Sequence, residues 1–415
     1  SGPVELAAAH PGGGRYGGLW LLLRSAGAPR ALVKRAFEPG PVTRIDARAL
    51  LAELGLGDAT APPPDPEPAP AISVVIASTL ARDAALRACL QAIVALDYPR
   101  FEVLLVDNSR PRREPPPWLE ELPAVRLLRE PAPGASAARN RGLAEASGEL
   151  VAFTDDDTEV DPRWLRAIAA RLAAHPDEVG LTGLALTGDL ETAAQLAFER
   201  YYRAAGGESL EPLSHRLAAG RRALGAATVT ASDDFGRVVR RFSLYESGRL
   251  GSGNTMAFRS AALRAAGGFD VALGPGTAAP AGEDIELFAR LLWRGHALGF
   301  EPRALVRHRH RLDERQLRRQ IEGYGIGFTA SATALSIGDP RHLGSIAATV
   351  PRGLALLGGN FARKLRAGAA GAPAEIPGLA RAELRGMLEG PLAYLRSRRR
   401  ARRRPRETPG GRLDG

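Results

Sequence analysis

The segment Ile72–Ser78, with the sequence ISVVIAS, decides the fold of this chain. A continuous β-branched run of this length predicts a strand buried on both faces, which is typical of parallel sheets. Three further strand-like runs follow, which are FEVLLVDNS, AVRLLRE and ELVAFTDDD. Stretches with helical spacing lie between the strand-like runs. Regular alternation of strand and helix predicts an α/β fold with a mostly parallel sheet and flanking helices. The alternation is lost between residues 190 and 250 and returns afterwards.

The composition limits the classes of protein to which the chain can belong. The 415 residues are 45% hydrophobic, which is enough for a large core. The single cysteine, Cys89, cannot form an internal disulfide and favours a reducing compartment. A run of about twenty apolar residues, as a membrane-spanning helix needs, is missing from the sequence, and we see no secretory signal. We therefore expect a cytoplasmic protein.

Changes in pattern divide the chain into five predicted parts. Residues 1–59 read as a small β-rich unit with a hairpin and a short helix, and the proline-rich residues 60–70 read as a linker. The α/β domain covers 71–311, and a helical C-terminal region covers 312–395. The basic residues 396–415 are expected to be a disordered tail.

Much of the net charge of +10 lies in this predicted tail, where residues 396–407 read RSRRRARRRPRE. Two interpretations stay open. The segment is a solubilising tail, or it attracts the protein to anionic lipid as a peripheral protein at the inner face of the membrane. Nucleic acid is not an expected partner, because no recognition motif and no interleaved aromatic residues accompany the charge.

Polar residues follow the predicted strands where each strand ends. Thr79, Asp107 and the run Asp155–Asp157 all occupy such positions, and ligands of parallel sheets bind at the carboxyl ends of the strands. The aspartates could be ordinary loop acids. A phosphatase-type pair is disfavoured, because Glu159 stands where Thr or Val is required. The third interpretation is a site for Mg²⁺ or Mn²⁺, cations that accept few carboxylates and complete their shell with substrate phosphates.

Two more groups of residues are candidates for chemistry. Glu283 and Asp284 stand in the first turn of an amphipathic helix, GEDIELFARLLWRG, where the helix dipole favours acids in any case. The functional alternative is a carboxylate base directed at the same edge and kept ionised by the helix. In ALVRHRHR, strand alternation puts His308 and His310 on one face, which suits a metal, a pyrophosphate or an ordinary edge strand.

Taken together and in order, these segments resemble the family 2 inverting glycosyltransferases of the GT-A fold. The resemblance covers about residues 71–311 and runs through ISVVIAST, VLLVDNS, PGASAARNRGLAEASGELVAFTDDD, GSGNTMAFRSAALRAAGGFD and GEDIELFARLL. It implies a nucleotide-sugar donor, UDP- or dTDP-linked, a divalent metal, Mn or Mg, and direct displacement at the anomeric carbon. The acceptor is expected to be a hydroxyl of a glycan, a lipid-linked molecule or a small molecule.

The resemblance assigns the donor side residue by residue. It places Thr79 beside the nucleoside and makes Asp107 the acceptor of a hydrogen bond from the ring N–H of the base. Asp155 and Asp156 are assigned to donor binding, with Asp155 near the ribose, and Arg139 is expected to face the nucleotide.

For the metal and the reaction, the same resemblance makes Asp157 the metal ligand of an Asp-x-Asp motif and Asp284 the catalytic base. Glu283 is expected to hydrogen-bond the acceptor or the backbone. His308 or His310 corresponds to a histidine that contacts metal or diphosphate in some members.

Departures from the pattern narrow the expected activity. Processive synthases of the family carry Gln-x-x-Arg-Trp and membrane spans, whereas this chain reads RQLRRQIEGYG downstream. Single-sugar transfer by a soluble or peripheral enzyme is therefore expected. Two alternatives remain. A sugar-nucleotide nucleotidyltransferase should show a glycine-rich basic loop that IASTLARDAAL lacks, and a non-catalytic nucleotide-sugar-binding protein should have lost acids that are present.

Overall fold

The computed structural model describes residues 4–7, 16–37, 42–56, 64–203, 210–218, 227–310, 313–349, 376 and 378–403. In the N-terminal region, β2 (Gly18–Ser25) and β3 (Ala28–Ala36) form an antiparallel hairpin, and β1 (Val4–Ala7) pairs with β4 (Val42–Ile45). The short helix α1 (Ala47–Glu53) follows. The hairpin and the short helix agree with the sequence, while the division of the chain into five parts stays a prediction.

The remaining strands form one sheet of eleven. Its first half consists of four parallel strands, which are β5 (Ile72–Ser78), β6 (Phe101–Asp107), β7 (Val125–Arg129) and β8 (Leu150–Asp155). The other strands near the centre are β9 (Thr158–Val160), β10 (Glu178–Thr187), β14 (Thr255–Arg259) and β15 (Ala297–His308). β10 and β15 are parallel, and β14 lies between β8 and β10 and is antiparallel to both. The predicted α/β class with a mostly parallel central sheet is confirmed.

The irregular region between residues 190 and 250 contributes strands that the sequence did not predict. β11 (Leu213–Leu217), β12 (Thr228–Ser232) and β13 (Val238–Ser243) extend the sheet as an antiparallel meander beyond β15. These strands are short and mix polar with apolar residues, because part of their surface faces solvent. Their pattern therefore lacks the continuous apolar run that identifies a buried parallel strand.

Helices cover both faces of the sheet. Their bounds are α2 (Asp83–Val94), α3 (Ala135–Glu145), α4 (Trp164–Ala174), α5 (Ala193–Arg203), α6 (Ser260–Ala265) and α7 (Glu283–Trp293). Val74 of β5 belongs to the same hydrophobic cluster as residues of α2 and α4, whereas its neighbour Val75 belongs to the cluster that contains residues of α3 and α7. Successive residues of a strand point to opposite faces, so ISVVIAS is buried on both sides as predicted.

The C-terminal region is helical, as expected, in α8 (Glu314–Gly338), α9 (341–349) and α10 (Leu379–Arg402). The prediction of disorder from Arg396 is wrong for residues 396–402, which continue α10. Arginine is a good helix former, and basic side chains in the last turn complement the helix dipole. Residues 404–415 of the predicted tail lie outside the described residues. Within the described ranges, every helix is too short or too polar to cross a bilayer.

Candidate functional site

The run of aspartates folds as a tight turn at the carboxyl end of β8. The Thr158 hydroxyl donates to the Asp155 carbonyl at 2.8 Å, and the chain then reverses into β9, which pairs with the end of β15. This pairing brings His308 beside the turn, with its Nε2 3.3 Å from Oδ1 of Asp157. Ligand atoms of Asp155, Asp157 and His308 all lie within 4.8 Å of one another. Two carboxylate oxygens and one imidazole nitrogen form a donor set that suits Mn²⁺ or Mg²⁺.

The middle aspartate faces away from this cluster. Asp156 is buried and accepts a hydrogen bond of 2.6 Å from the Ser78 hydroxyl at the end of β5. Arg82, just before α2, forms ion pairs with both Asp156 and Asp157. Burial raises the pKa of Asp156 above its ordinary value, and Arg82 opposes that shift. Sequence reasoning missed Arg82, although a basic residue so soon after the first strand end was a usable signal.

Arg139 of α3 connects the aspartate turn to the second acidic pair. Its guanidinium donates to Oδ1 of Asp155 at 2.9 Å and to Oε1 of Glu283 at 2.8 Å. The side chain is only 4% exposed, so it lies beneath the edge of the sheet and holds carboxylates. Burial alone would lower the pKa of Arg139, but the surrounding carboxylates outweigh burial and raise it. The expected contact between Arg139 and a nucleotide stays a hypothesis.

Glu283 and Asp284 occupy the first turn of α7, as predicted. The turn starts at Gly282, whose φ of 91° and close approach to the Gly327 carbonyl both require glycine. Oδ2 of Asp284 accepts the Gly253 N–H at 2.9 Å, and Oδ1 accepts the Ile285 N–H at 2.8 Å.

The pKa values of this pair differ from the expectation that the helix N-terminus keeps the base ionised. Burial raises the pKa of Glu283 and of Asp284, and it outweighs the backbone N–H groups and Arg139, which lower the pKa of Asp284. The sequence indicated only the helix N-terminus, which favours the ionised form, and burial could not be read from it. A raised carboxyl pKa makes Asp284 a stronger base whenever it is ionised.

The nucleoside-side candidates lie at the ends of neighbouring strands. Thr79 is exposed directly after β5. Asp107 is the last residue of β6 and is buried. Its Oδ1 accepts the Ser109 N–H at 2.8 Å, and its Oδ2 lies 2.8 Å from Nη1 of Arg129. Arg129 was also missed, because nothing in the sequence of β7 indicates that its last side chain turns toward β6.

The two histidines have different surroundings. His308 belongs to the cluster with Asp155 and Asp157, whereas Nε2 of His310 lies 2.7 Å from Oε1 of Glu199 on α5. The His310 ring also packs against Phe198, with ring centroids 4.3 Å apart. Of the two candidates, His308 is therefore the one that the structure places with the aspartates.

Comparison with known proteins gives three kinds of similarity. The family model "Glycosyl transferase family 2" matches residues 73–224. The pre-mycofactocin glycosyltransferase of Mycobacterium tuberculosis is 29% identical over 234 residues, which are 56% of this chain and 41% of the relative. The uncharacterized glycosyltransferase YibD of Escherichia coli is 37% identical over 81 residues, 18% of this chain and 23% of the relative. The matches span at most 41% of the length of these relatives.

Among solved structures, the mannosyltransferase PcManGT of Pyrobaculum calidifontis, in complex with GDP-Man and Mn²⁺, is 17% identical with a TM-score of 0.48. The match covers 83% of this chain and 93% of that one. TarS 1–349 of S. aureus, in complex with UDP-GlcNAc, is 14% identical with a TM-score of 0.40, over 66% of this chain and 72% of that one. On the family match and the sequence relatives, the chain carries a glycosyl transferase family 2 domain.

Proposed function

We propose that this protein is an inverting glycosyltransferase that moves one sugar from a nucleotide-diphosphate sugar, UDP- or dTDP-linked, to a hydroxyl acceptor. The observation that carries the proposal is the bridge through Arg139. One guanidinium binds both Asp155 of the metal-capable cluster and Glu283, the neighbour of Asp284. The residues that would serve the leaving diphosphate and the residues that would serve the acceptor hydroxyl are therefore held at one site.

On the donor side, Asp155, Asp157 and His308 are the residues that would hold a divalent cation, which supplies Lewis-acid stabilisation of the leaving diphosphate. Arg82 lies beside Asp157 and is partly exposed, so it is within reach of a phosphate bound at the cluster. Thr79 follows β5, which pairs with β8, and Asp107 ends β6, which pairs with the other side of β5, so the nucleoside would extend in that direction.

On the acceptor side, Asp284 is the better candidate for the base. Glu283 is paired with a buried guanidinium, which occupies one of its oxygens and opposes the rise in its pKa. The oxygens of Asp284 accept only backbone N–H groups, and each carboxylate oxygen has a second lone pair for an acceptor hydroxyl. The base takes the proton of that hydroxyl as its oxygen attacks the anomeric carbon. Attack opposite the diphosphate inverts the anomeric configuration, and no covalent glycosyl-enzyme is formed.

The Mycobacterium tuberculosis relative is named a glycosyltransferase, which agrees with this class of reaction. The activity can be tested before the acceptor is identified. Donor hydrolysis is measured for a panel of UDP-, dTDP- and GDP-sugars with Mn²⁺ or with EDTA, and the configuration of the released sugar is followed by proton NMR. We expect one donor to be hydrolysed only with the metal and to release the inverted anomer. Release of the retained anomer, or nucleotidyl transfer from a nucleoside triphosphate, would contradict the proposal.

A further inference from the structure

The C-terminal helix α10 presents four leucines to the outside. Leu384, Leu388, Leu392 and Leu395 are 48%, 76%, 58% and 38% exposed. Their spacings of four, four and three residues place them on one side of the helix. Single exposed leucines are normal on a protein surface, but an unbroken row of four along one helix needs an explanation.

The inner side of α10 explains why the leucines point outward. Apart from Leu379 and Tyr394, the buried residues of this helix are small, and they are Gly386, Gly390, Ala393 and Ser397. A side chain at Gly386 would overlap the Glu322 carbonyl oxygen of α8, so the two backbones are in direct contact there. The close packing on α8 fixes the rotation of α10 and leaves the leucine row without a partner among the described residues.

The helix also continues through a proline within the row. Pro391 has no N–H for the carbonyl of Met387 one turn earlier, which would normally weaken the helix. The Thr329 hydroxyl of α8 donates to that carbonyl at 2.8 Å. The helix is continuous to Arg402, so the leucines and the basic block belong to one surface.

The basic residues continue the same surface. Arg399 and Arg402 follow Leu395 at spacings of four and three, and Arg396 and Arg400 lie beside them. All four are exposed, and none has a carboxylate within ion-pair distance in the part of the chain that the structure describes. We call the set Leu384, Leu388, Leu392, Leu395, Arg396, Arg399, Arg400 and Arg402 the outer face of α10.

We propose that the outer face of α10 binds the surface of an anionic phospholipid bilayer. A leucine row bordered by arginines is the pattern of a helix that lies in the plane of the membrane interface. The leucines would enter the boundary of the acyl chains, and the long arginine side chains would reach lipid phosphates. The charge selects this occupant, because a purely apolar partner or a second copy of the same basic face would leave the arginines facing like charge or no charge. This inference is independent of the proposed transferase activity.

The test is flotation of the full 415-residue chain with vesicles. The vesicles contain either phosphatidylcholine alone or phosphatidylcholine with a third phosphatidylglycerol. We expect binding to the anionic vesicles at low salt and at least tenfold weaker binding in 0.5 M NaCl, because screening shortens the reach of the charges.

Two variants separate the apolar and the charged contributions. Leu388→Gln with Leu392→Gln is expected to weaken binding at least tenfold, since both side chains leave the acyl boundary. Arg399→Gln with Arg402→Gln should weaken it about 25-fold, because each arginine near anionic lipid contributes about fivefold. Arg315→Gln with Arg319→Gln, two exposed arginines of α8, serves as the matched charge control and should bind like the parent.

The outcomes decide the proposal. Unchanged vesicle binding in the leucine variant, or a parent that does not bind anionic vesicles, would overturn it. A fall of more than about 5 °C in the melting temperature of the leucine variant would show that another part of the chain covers the row, which also overturns it. Dimers of the parent that the leucine variant abolishes, seen by light scattering, would show a second copy as the occupant instead.

Discussion

Two buried arginines, Arg139 and Arg171, each bind two carboxylates at opposite ends of the same sheet. Arg171 of α4 is 2% exposed. It donates through Nε to Oε2 of Glu178 at 3.0 Å and through Nη1 to Oδ1 of Asp234 at 2.6 Å. Glu178 begins β10 and is fully buried, with both oxygens bound by the one guanidinium. At the carboxyl edge, Arg139 holds Glu283 and Asp155 by one oxygen each, and Asp155 is 35% exposed.

The two ends of the sheet differ in the ratio of arginines to carboxylates. Around Glu178 the bidentate ion pair matches one charge with the other, and both side chains are buried, so neither charge is open to a ligand. At the carboxyl edge, Arg82 and Arg139 face a larger set of acids, which are Asp155, Asp156, Asp157, Glu283 and Asp284. Three of these acids, Asp156, Asp157 and Glu283, are buried, and a buried excess of carboxylates is costly unless the acids are protonated or a cation binds. The charges at the Arg171 end of the sheet are therefore closed off from solvent, whereas the carboxyl edge has acids in excess of its arginines, as the proposed cation site requires.

The largest effect is expected at the carboxyl edge of the sheet, from Asp284→Asn. The amide of asparagine cannot take up the proton of the acceptor hydroxyl. Turnover should therefore fall about 10²–10⁴-fold, which is the usual contribution of general-base catalysis, while the affinity for the donor stays nearly unchanged. Steady-state kinetics and donor titration measure the two quantities. Glu314→Gln, an exposed acid in the first turn of α8, is the control and should behave like the parent. Near-normal turnover of Asp284→Asn would remove the base assignment.

At the closed end, Arg171→Met should lower stability and leave turnover per folded molecule unchanged. Loss of one partner of a buried ion pair costs about 3–5 kcal/mol, because Glu178 would keep its charge in a buried place. Urea unfolding measures the free energy of unfolding. The double variant Arg171→Met with Glu178→Leu should recover most of the loss. An equally unstable double variant would mean that Arg171 acts through Asp234 or by packing.

A smaller effect should distinguish the two histidines. Mn²⁺ is expected to strengthen binding of a nucleoside diphosphate, and Asp157→Ala or His308→Ala should weaken this enhancement at least about tenfold, as even outer-shell partners of a metal contribute that much. His310→Gln is the matched control and should retain the enhancement, because His310 pairs with Glu199. Calorimetric titrations of the nucleoside diphosphate with Mn²⁺ and with EDTA measure this enhancement. Equal affinity in both conditions for the parent would contradict the metal site.

The smallest effect concerns pH. Burial raises the folded-state pKa of Asp284 above the ordinary value of about 4, so turnover should decline as pH falls through that raised pKa. The same raised pKa affects stability. The folded state binds this proton more tightly than the unfolded state, so the free energy of unfolding decreases as pH rises and Asp284 becomes ionised.

Asn mimics the protonated acid, and Asp284→Asn should therefore melt at the same temperature as the parent or higher at pH 7. The difference should vanish below pH of about 4, where the parent's acid is protonated in both states. Calorimetry at the two pH values checks it, and a variant that melts lower than the parent at pH 7 would contradict this account.

Much of the α/β domain could be predicted from the sequence, because its determinants are local. The β-branched run Ile72–Ser78, the acids after β8 and the acids at the start of α7 are visible as short patterns. The basic block was visible as well, but its conformation was not. Composition alone indicated disorder from Arg396, whereas packing of α10 on α8 extends the helix through Arg402.

By itself, the sequence determined the buried parallel strands and most helices of the α/β domain and which of their ends carry acids, since hydrophobic periodicity acts over a few neighbouring residues. Only the tertiary structure decided the partners: Arg139 between Asp155 and Glu283, and His308 with the aspartates while His310 goes to Glu199. It also decided that α10 turns glycines inward and leucines outward. These choices depend on contacts between segments far apart in the chain, which no local pattern encodes.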